Sequence, residues 1–103
     1  MKAIIKPNDP VIDFVVLSAN SSPLIRSVRV FGSRAKESAN DKSDYDLAFE
    51  IDPALEKNWG EFCSRLREDN PKLNTLDLVR MDEISDTFRK KILREGSVIY
   101  EKN

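Results

Sequence analysis

Hydrophobic and polar residues change their spacing several times along this chain. From Ile25 to Phe31, Val28 and Val30 flank Arg29, a period of two that predicts a strand. Gly32-Ser33 ends that run. From 45 to 51, Tyr45, Leu47, Phe49 and Ile51 alternate with Asp46, Ala48 and Glu50. This predicts a second strand with one apolar face, and Asp44 falls on the same side as Asp46. Leu76–Arg80 and Ser97–Tyr100 read as two further short strands. Elsewhere the spacing lengthens. Leu55, Trp59, Phe62, Cys63 and Leu66 recur at helical intervals after Pro53, predicting a helix of about 16 residues that Asn70-Pro71 stops. Ile84, Phe88 and Ile92 mark another helix, with Asp82 as its cap and Gly96 at its end. Asp9-Pro10 suits the start of a helix over 9–20, despite the β-branched Val11, Ile12, Val15 and Val16. A short helix is expected over 33–39, then a loop over 40–43.

Helices therefore alternate with strands. That order predicts a single α/β (α+β) domain spanning 1–103, with a sheet of three to four strands. The 103 residues are 40% hydrophobic and 34% charged, a soluble globular composition. A chain of this size buries roughly 60–70% of its unfolded surface, enough for one core but not for a separate substrate domain. Seventeen Lys and Arg against eighteen Asp and Glu leave a net charge of -1, which argues against direct nucleic-acid binding. The single cysteine, Cys63, cannot close an internal disulfide. There is no histidine, so His-based triads, zinc sites and general bases are excluded. The apolar run Val11–Leu17 is broken by Asp13 and too short to cross a bilayer. The expectation is a cytoplasmic protein without a membrane partner.

One segment concentrates the chemistry: Gly32-Ser33, ten residues, then Asp44-Tyr45-Asp46. Glycine after a strand allows a tight turn and a close backbone approach to a ligand. The first amides of a following helix, with the Ser33 hydroxyl, would make a phosphate-binding corner. Asp44 and Asp46, roughly 6.5–7 Å apart at their Cα atoms on a strand, can converge on one cation. Like charges so placed repel, and a divalent cation removes that penalty. Asp77 lies in an apolar strand, where an acid is costly unless exposed, paired or metal-bound. If its strand adjoins that of Asp46, three acids meet beside the corner, the pattern of two-metal phosphoryl transfer. Asp52 and Asp82 are rivals for the third acid, but their positions suit a strand exit and a helix cap.

Together with the run FGSRA…SDYDLAFEI…LDLV…ILREGSVIY, this signature resembles the minimal nucleotidyltransferase family of the DNA polymerase beta-like superfamily, over nearly all of the chain from Ser27 onward. The resemblance implies the minimal nucleotidyltransferase fold, a small mixed sheet flanked by helices. It implies two Mg2+ ions (or Mn2+) held by Asp44, Asp46 and Asp77, with Asp77 helping to activate the attacking hydroxyl. Gly32 and Ser33 would hold the β/γ phosphates of ATP or another nucleoside triphosphate, and Arg34 would add charge there. It also implies a HEPN-type helical partner, often a toxin ribonuclease, with AMP transferred to one of its tyrosines in an antitoxin role. The chain departs from the family's loop at Ala35-Lys36-Glu37, where Ala-Arg-Gly is common, which would reshape nucleotide binding. The alternative is a catalytically weak or inactive antitoxin that works by stoichiometric complex formation. Trp59 and Cys63 read as core, Tyr45 as inward-pointing, and Arg89, Lys90, Lys91 and Arg94 as a solvated helix face. Tyr100 suits either core or interface.

Overall fold

A computed structural model describes residues 9–35 and 42–103. Its order is α1 (Pro10–Asn20), β1 (Ile25–Phe31), a 3-10 turn (Gly32–Ala35), β2 (Tyr45–Ile51), a second 3-10 stretch (Pro53–Asn58), α2 (Trp59–Glu68), β3 (Leu76–Arg80), α3 (Asp86–Glu95) and β4 (Ser97–Glu101). The four strands form one sheet in the order β3-β2-β1-β4. β1 runs antiparallel to β2 and β4, whereas β2 and β3 are parallel. The α/β class and the small mixed four-stranded sheet follow the sequence reading.

The alternation in β2 separates two faces. Tyr45, Leu47, Phe49 and Ile51 pack with Val28 and Val30 against Val11, Val15 and Ala19 of α1 and Leu66 of α2. Phe49 is fully buried, with its ring edge-to-face on Trp59 at 5.3 Å and Phe62 at 5.7 Å. Burial of such a side chain contributes about 2–3 kcal/mol. On the opposite face, Ala48, Met81 and Ile92 form a smaller cluster with Phe31, Val79, Ile84 and Phe88. There α3 is the covering helix.

Local chemistry sets the boundaries. The Asp9 carboxylate accepts from the backbone N–H of Val11 and Ile12, capping α1 despite its β-branched residues. Tertiary burial of Val11, Ile12 and Val15 overrides their strand preference. Two of the expected helix boundaries need correction. The helix expected from Pro53 is two pieces, a 3-10 stretch with non-helical angles inside it at Leu55, and then α2. Asp82 does not cap α3. Ser85 does so, its hydroxyl accepting from the Phe88 N–H, while Asp82 takes two hydrogen bonds from Arg80, at 2.9 and 2.6 Å. The Arg80 guanidinium thereby holds the Asp82 carboxyl below its ordinary value. Of the short helix expected over 33–39, the described part is a 3-10 turn, Gly32–Ala35. Its remaining positions, the departing Lys36-Glu37 among them, and part of the 40–43 loop lie outside the described residues.

Gly96 follows α3 with extended angles, φ -83 and ψ 169, so it is not the left-handed cap its position suggests. Its need is space. A Cβ there would press on the carbonyl oxygens of Ile92 and Val30, where the chain turns from α3 into β4. Tyr100 packs partly buried against the larger core cluster.

Candidate active site

The site is built at the beginning of the parallel pair of strands. Asp46 of β2 stands directly opposite Asp77 of β3 and, on its other flank, opposite Phe31 of β1. Residues opposed in this way project to the same side of a sheet. The Asp46 carboxyl is consequently pushed up to about 6, first by burial, then by its hydrogen bond with Asp77 and that residue's charge, then by the charge of Asp44. Asp44 and Asp77 are exposed, and Asp46 is half-buried. The three acids thus share one electrostatic environment, the juxtaposition that the spacing suggests.

Gly32 completes it. Its φ of 69° lies in the left-handed region, which L side chains avoid. A Cβ at this position would also collide with the Asp46 carboxylate. Glycine is required here on both counts, because it lays the end of β1 against the acid. Ser33 follows in the same turn, half-buried. Within this described turn, the local amides and the Ser33 hydroxyl are the groups placed to grip an anion at this corner.

Arg34 engages the approach to β2. Its guanidinium lies over the Tyr45 ring at 3.9 Å and donates to the Ser43 carbonyl at 2.9 Å. The Asn74 amide donates to that same carbonyl at 3.0 Å, and the Tyr45 N–H donates to the Thr75 carbonyl. The Tyr45 hydroxyl reaches through the core to both oxygens of Asp9, at 3.1 and 2.9 Å. The backbone leading into Asp44 and Asp46 is therefore held from three directions. Asn74 and Asp9 carry no motif that would reveal this role, because their partners lie 31 and 36 residues away.

Two of the carboxylates suit magnesium. Among the described residues no group of three His, Cys, Asp or Glu side chains is gathered closely enough to cage a metal. Magnesium does not need such a cage; it is commonly held by one or two carboxylates, with substrate phosphates and water completing its octahedron. Asp46 and Asp77 stand opposite one another as such a pair, and part of the raised proton affinity of Asp46, after burial, comes from the neighbouring acids, a repulsion that a cation would relieve. A separate cleft of about 450 Å3, lined by Phe14, Ser18, Phe62 and Arg65 among others, shares no residue with the acids. No helix among the described residues is long and apolar enough to cross a membrane.

Solved structures share this architecture. A toxin–antitoxin complex with AMP-PNP aligns over 89% of this chain and 74% of its own, with a TM-score of 0.66 and 18% identity. The MntA-HepT toxin–antitoxin aligns over 89% and 71%, with a TM-score of 0.59 and 16% identity. A Sulfolobus solfataricus protein provisionally assigned as a nucleotidyltransferase aligns over 88% and 77%, with a TM-score of 0.56 and 23% identity. At these identities the likeness establishes the fold. No curated protein matches significantly by sequence. Residues 12–103, however, match the family described as polymerase beta, nucleotidyltransferase. With Gly32 laid against Asp46, and Asp46 beside Asp77, the chain belongs to that nucleotidyltransferase family.

Proposed function

We propose that this protein transfers a nucleoside monophosphate, AMP from ATP, to a hydroxyl on a partner protein, and that the partner is a HEPN-type helical toxin modified on a tyrosine. The observation that carries the reading is the parallel register that sets Asp46 beside Asp77, with Gly32 closing on Asp46. Family membership supports nucleotidyl transfer. The structural likeness to toxin–antitoxin complexes supports the partner class.

In this reading Asp44, Asp46 and Asp77 hold two Mg2+ ions, and Gly32 and Ser33 receive the β/γ phosphates. The bound metals would offset charge on the attacking and leaving oxygens. Asp77, exposed at the edge strand, accepts the proton of the acceptor hydroxyl. That oxygen forms a bond to the α-phosphorus while the bond from the α-phosphorus to the bridging oxygen breaks, releasing pyrophosphate. Gly32 keeps the β1 end of the site free of side-chain bulk. Asp46, between the other components, would hold the metal that keeps the α-phosphate in line.

The test uses purified protein, its helical partner, labelled ATP and magnesium. Label should pass to the partner and be lost with Asp44→Asn; transfer that survives this change overturns the proposal. The second reading is an antitoxin acting by stoichiometric binding. It is favoured by the engagement of Arg34 with Ser43 and Tyr45, which occupies the motif's own cation with protein contacts. Under that reading Asp44→Asn leaves neutralisation of the partner intact.

A further inference from the structure

Beside Gly32, on the flank of Asp46 away from Asp77, a cavity of about 180 Å3 is lined by Phe31, Gly32, Phe88, Lys91, Ile92 and Glu95. Phe31 and Phe88 wall it edge-to-face at 5.7 Å. Lys91 is its basic lining residue. We propose that Lys91 binds the pyrophosphate end of the nucleoside triphosphate, adding from α3 the charge that the family resemblance implies for Arg34. The inference rests on the nucleotidyl-transfer reading above.

Three observations lead to it. First, β2 lies between β3 and β1, so Asp46 has Asp77 on one flank and Phe31 on the other. In-line displacement needs the acceptor and the leaving group on opposite sides of the phosphorus. With the acceptor at Asp77, pyrophosphate departs over the β1 flank, where this cavity opens. Second, Arg34 already stacks on Tyr45 and braces Ser43. Third, Lys91 combines an exposed position on α3 with a place in the cavity wall. A lysine ammonium on a flexible stem suits phosphate recognition as a point charge. Glu95 shares the wall, with Arg94 3.5 Å from its carboxylate, which tempers its repulsion of an anion.

Calorimetric titration of the full chain in magnesium tests this with three probes: AMP-PNP, pyrophosphate and AMP. Lys91→Gln should weaken AMP-PNP and pyrophosphate about tenfold, the scale of one charge-assisted hydrogen bond, and leave AMP unchanged. Lys91→Arg should restore most of the loss. Equal weakening of AMP and AMP-PNP would overturn the inference in favour of a nucleoside site in the cavity. Unchanged binding of all three probes by Lys91→Gln would overturn it outright, with the nucleotidyl-transfer reading untouched. Failure of the unmodified protein to bind any probe removes that reading and the inference with it.

Discussion

The two faces of the sheet are built from the same strands to opposite ends. One face is closed by α1 and α2 over a continuous cluster that includes Val11, Val15, Leu47, Phe49 and Leu66. The other is covered by α3 over a smaller cluster, Ala48, Met81 and Ile92, and carries Asp46 and Asp77. In β2 the division repeats at every residue, with Leu47 and Phe49 fully buried while Asp46 between Tyr45 and Leu47 retains access to solvent. Stability and chemistry are thus separated by a single pleat. Substitutions in the larger cluster should unfold the protein, and substitutions of the acids should disable it without unfolding it.

The sharpest way to break this separation is Asp46→Asn. Loss of the carboxylate that the proposal assigns to metal binding should lower nucleotidyl transfer by at least about 10³-fold, the equivalent of several kcal/mol in the barrier, while the circular dichroism spectrum stays native. Retained transfer would remove Asp46 from the site. Phe49→Ala is the counterpart on the closed face. It should cost about 3–5 kcal/mol in denaturant titration, enough to unfold much of a domain of ordinary stability. A loss below about 1 kcal/mol would show that Trp59 and Phe62 can collapse into the space.

Gly32→Ala tests the junction of the two functions. The left-handed angle costs about 1–2 kcal/mol, and displacement of the Asp46 carboxylate should depress transfer far more than this loss of stability explains. Equal effects on both would assign Gly32 to folding alone.

The smallest expected effect is a pH dependence. Asp46 has a folded pKa of about 6 against an ordinary 3.8. The folded state therefore holds its proton more tightly than the unfolded chain, and rising pH between these values costs stability. In metal-free buffer Asp46→Asn should melt together with the unmodified protein near pH 4. It should then gain on it as pH rises through 6, and hold a constant advantage above. The advantage is on the order of 1 kcal/mol once solvent screening is allowed for, and magnesium should reduce it. Asp82 moves the other way: Arg80 lowers its pKa, so its contribution is present above the ordinary carboxylate value and disappears on acidification. Thermal melts of the unmodified protein and Asp46→Asn, compared across pH, isolate the Asp46 part.

Much of this architecture is legible in residue spacing, since short-range physics specifies it. The period of two in Ile25–Phe31 and Tyr45–Ile51 yields β1 and β2 with their observed bounds, because an alternating pattern can bury only one face of a strand. Asp9 caps α1 because its partners are two and three residues away. Where neighbours compete, the sequence is less decisive. Asp82 and Ser85 can both cap a helix, and the pull of Arg80 on Asp82 settles the choice. The helical stripe from Leu55 to Leu66 is continuous, yet the backbone kinks at Leu55, a local departure that periodicity does not register.

The charged residues show the same limit. Arg89, read as part of a solvated helix face, folds back to donate to the carbonyls of Met81 and Ile84. Lys91 from the same run lines a cavity. Arg34, for which the family resemblance implies a phosphate role, also braces the backbone before Asp44.

By itself the sequence determined the elements, the apolar face of each strand and the Gly-Ser and Asp-x-Asp pieces of the site, since these depend on intervals of a few residues. Only the tertiary structure decided that β3 lies parallel beside β2, which puts Asp77 opposite Asp46, and where each long cationic side chain ends. Both depend on contacts between segments far apart in the chain, and flexible side chains take the direction of whatever charge or carbonyl the fold brings within reach.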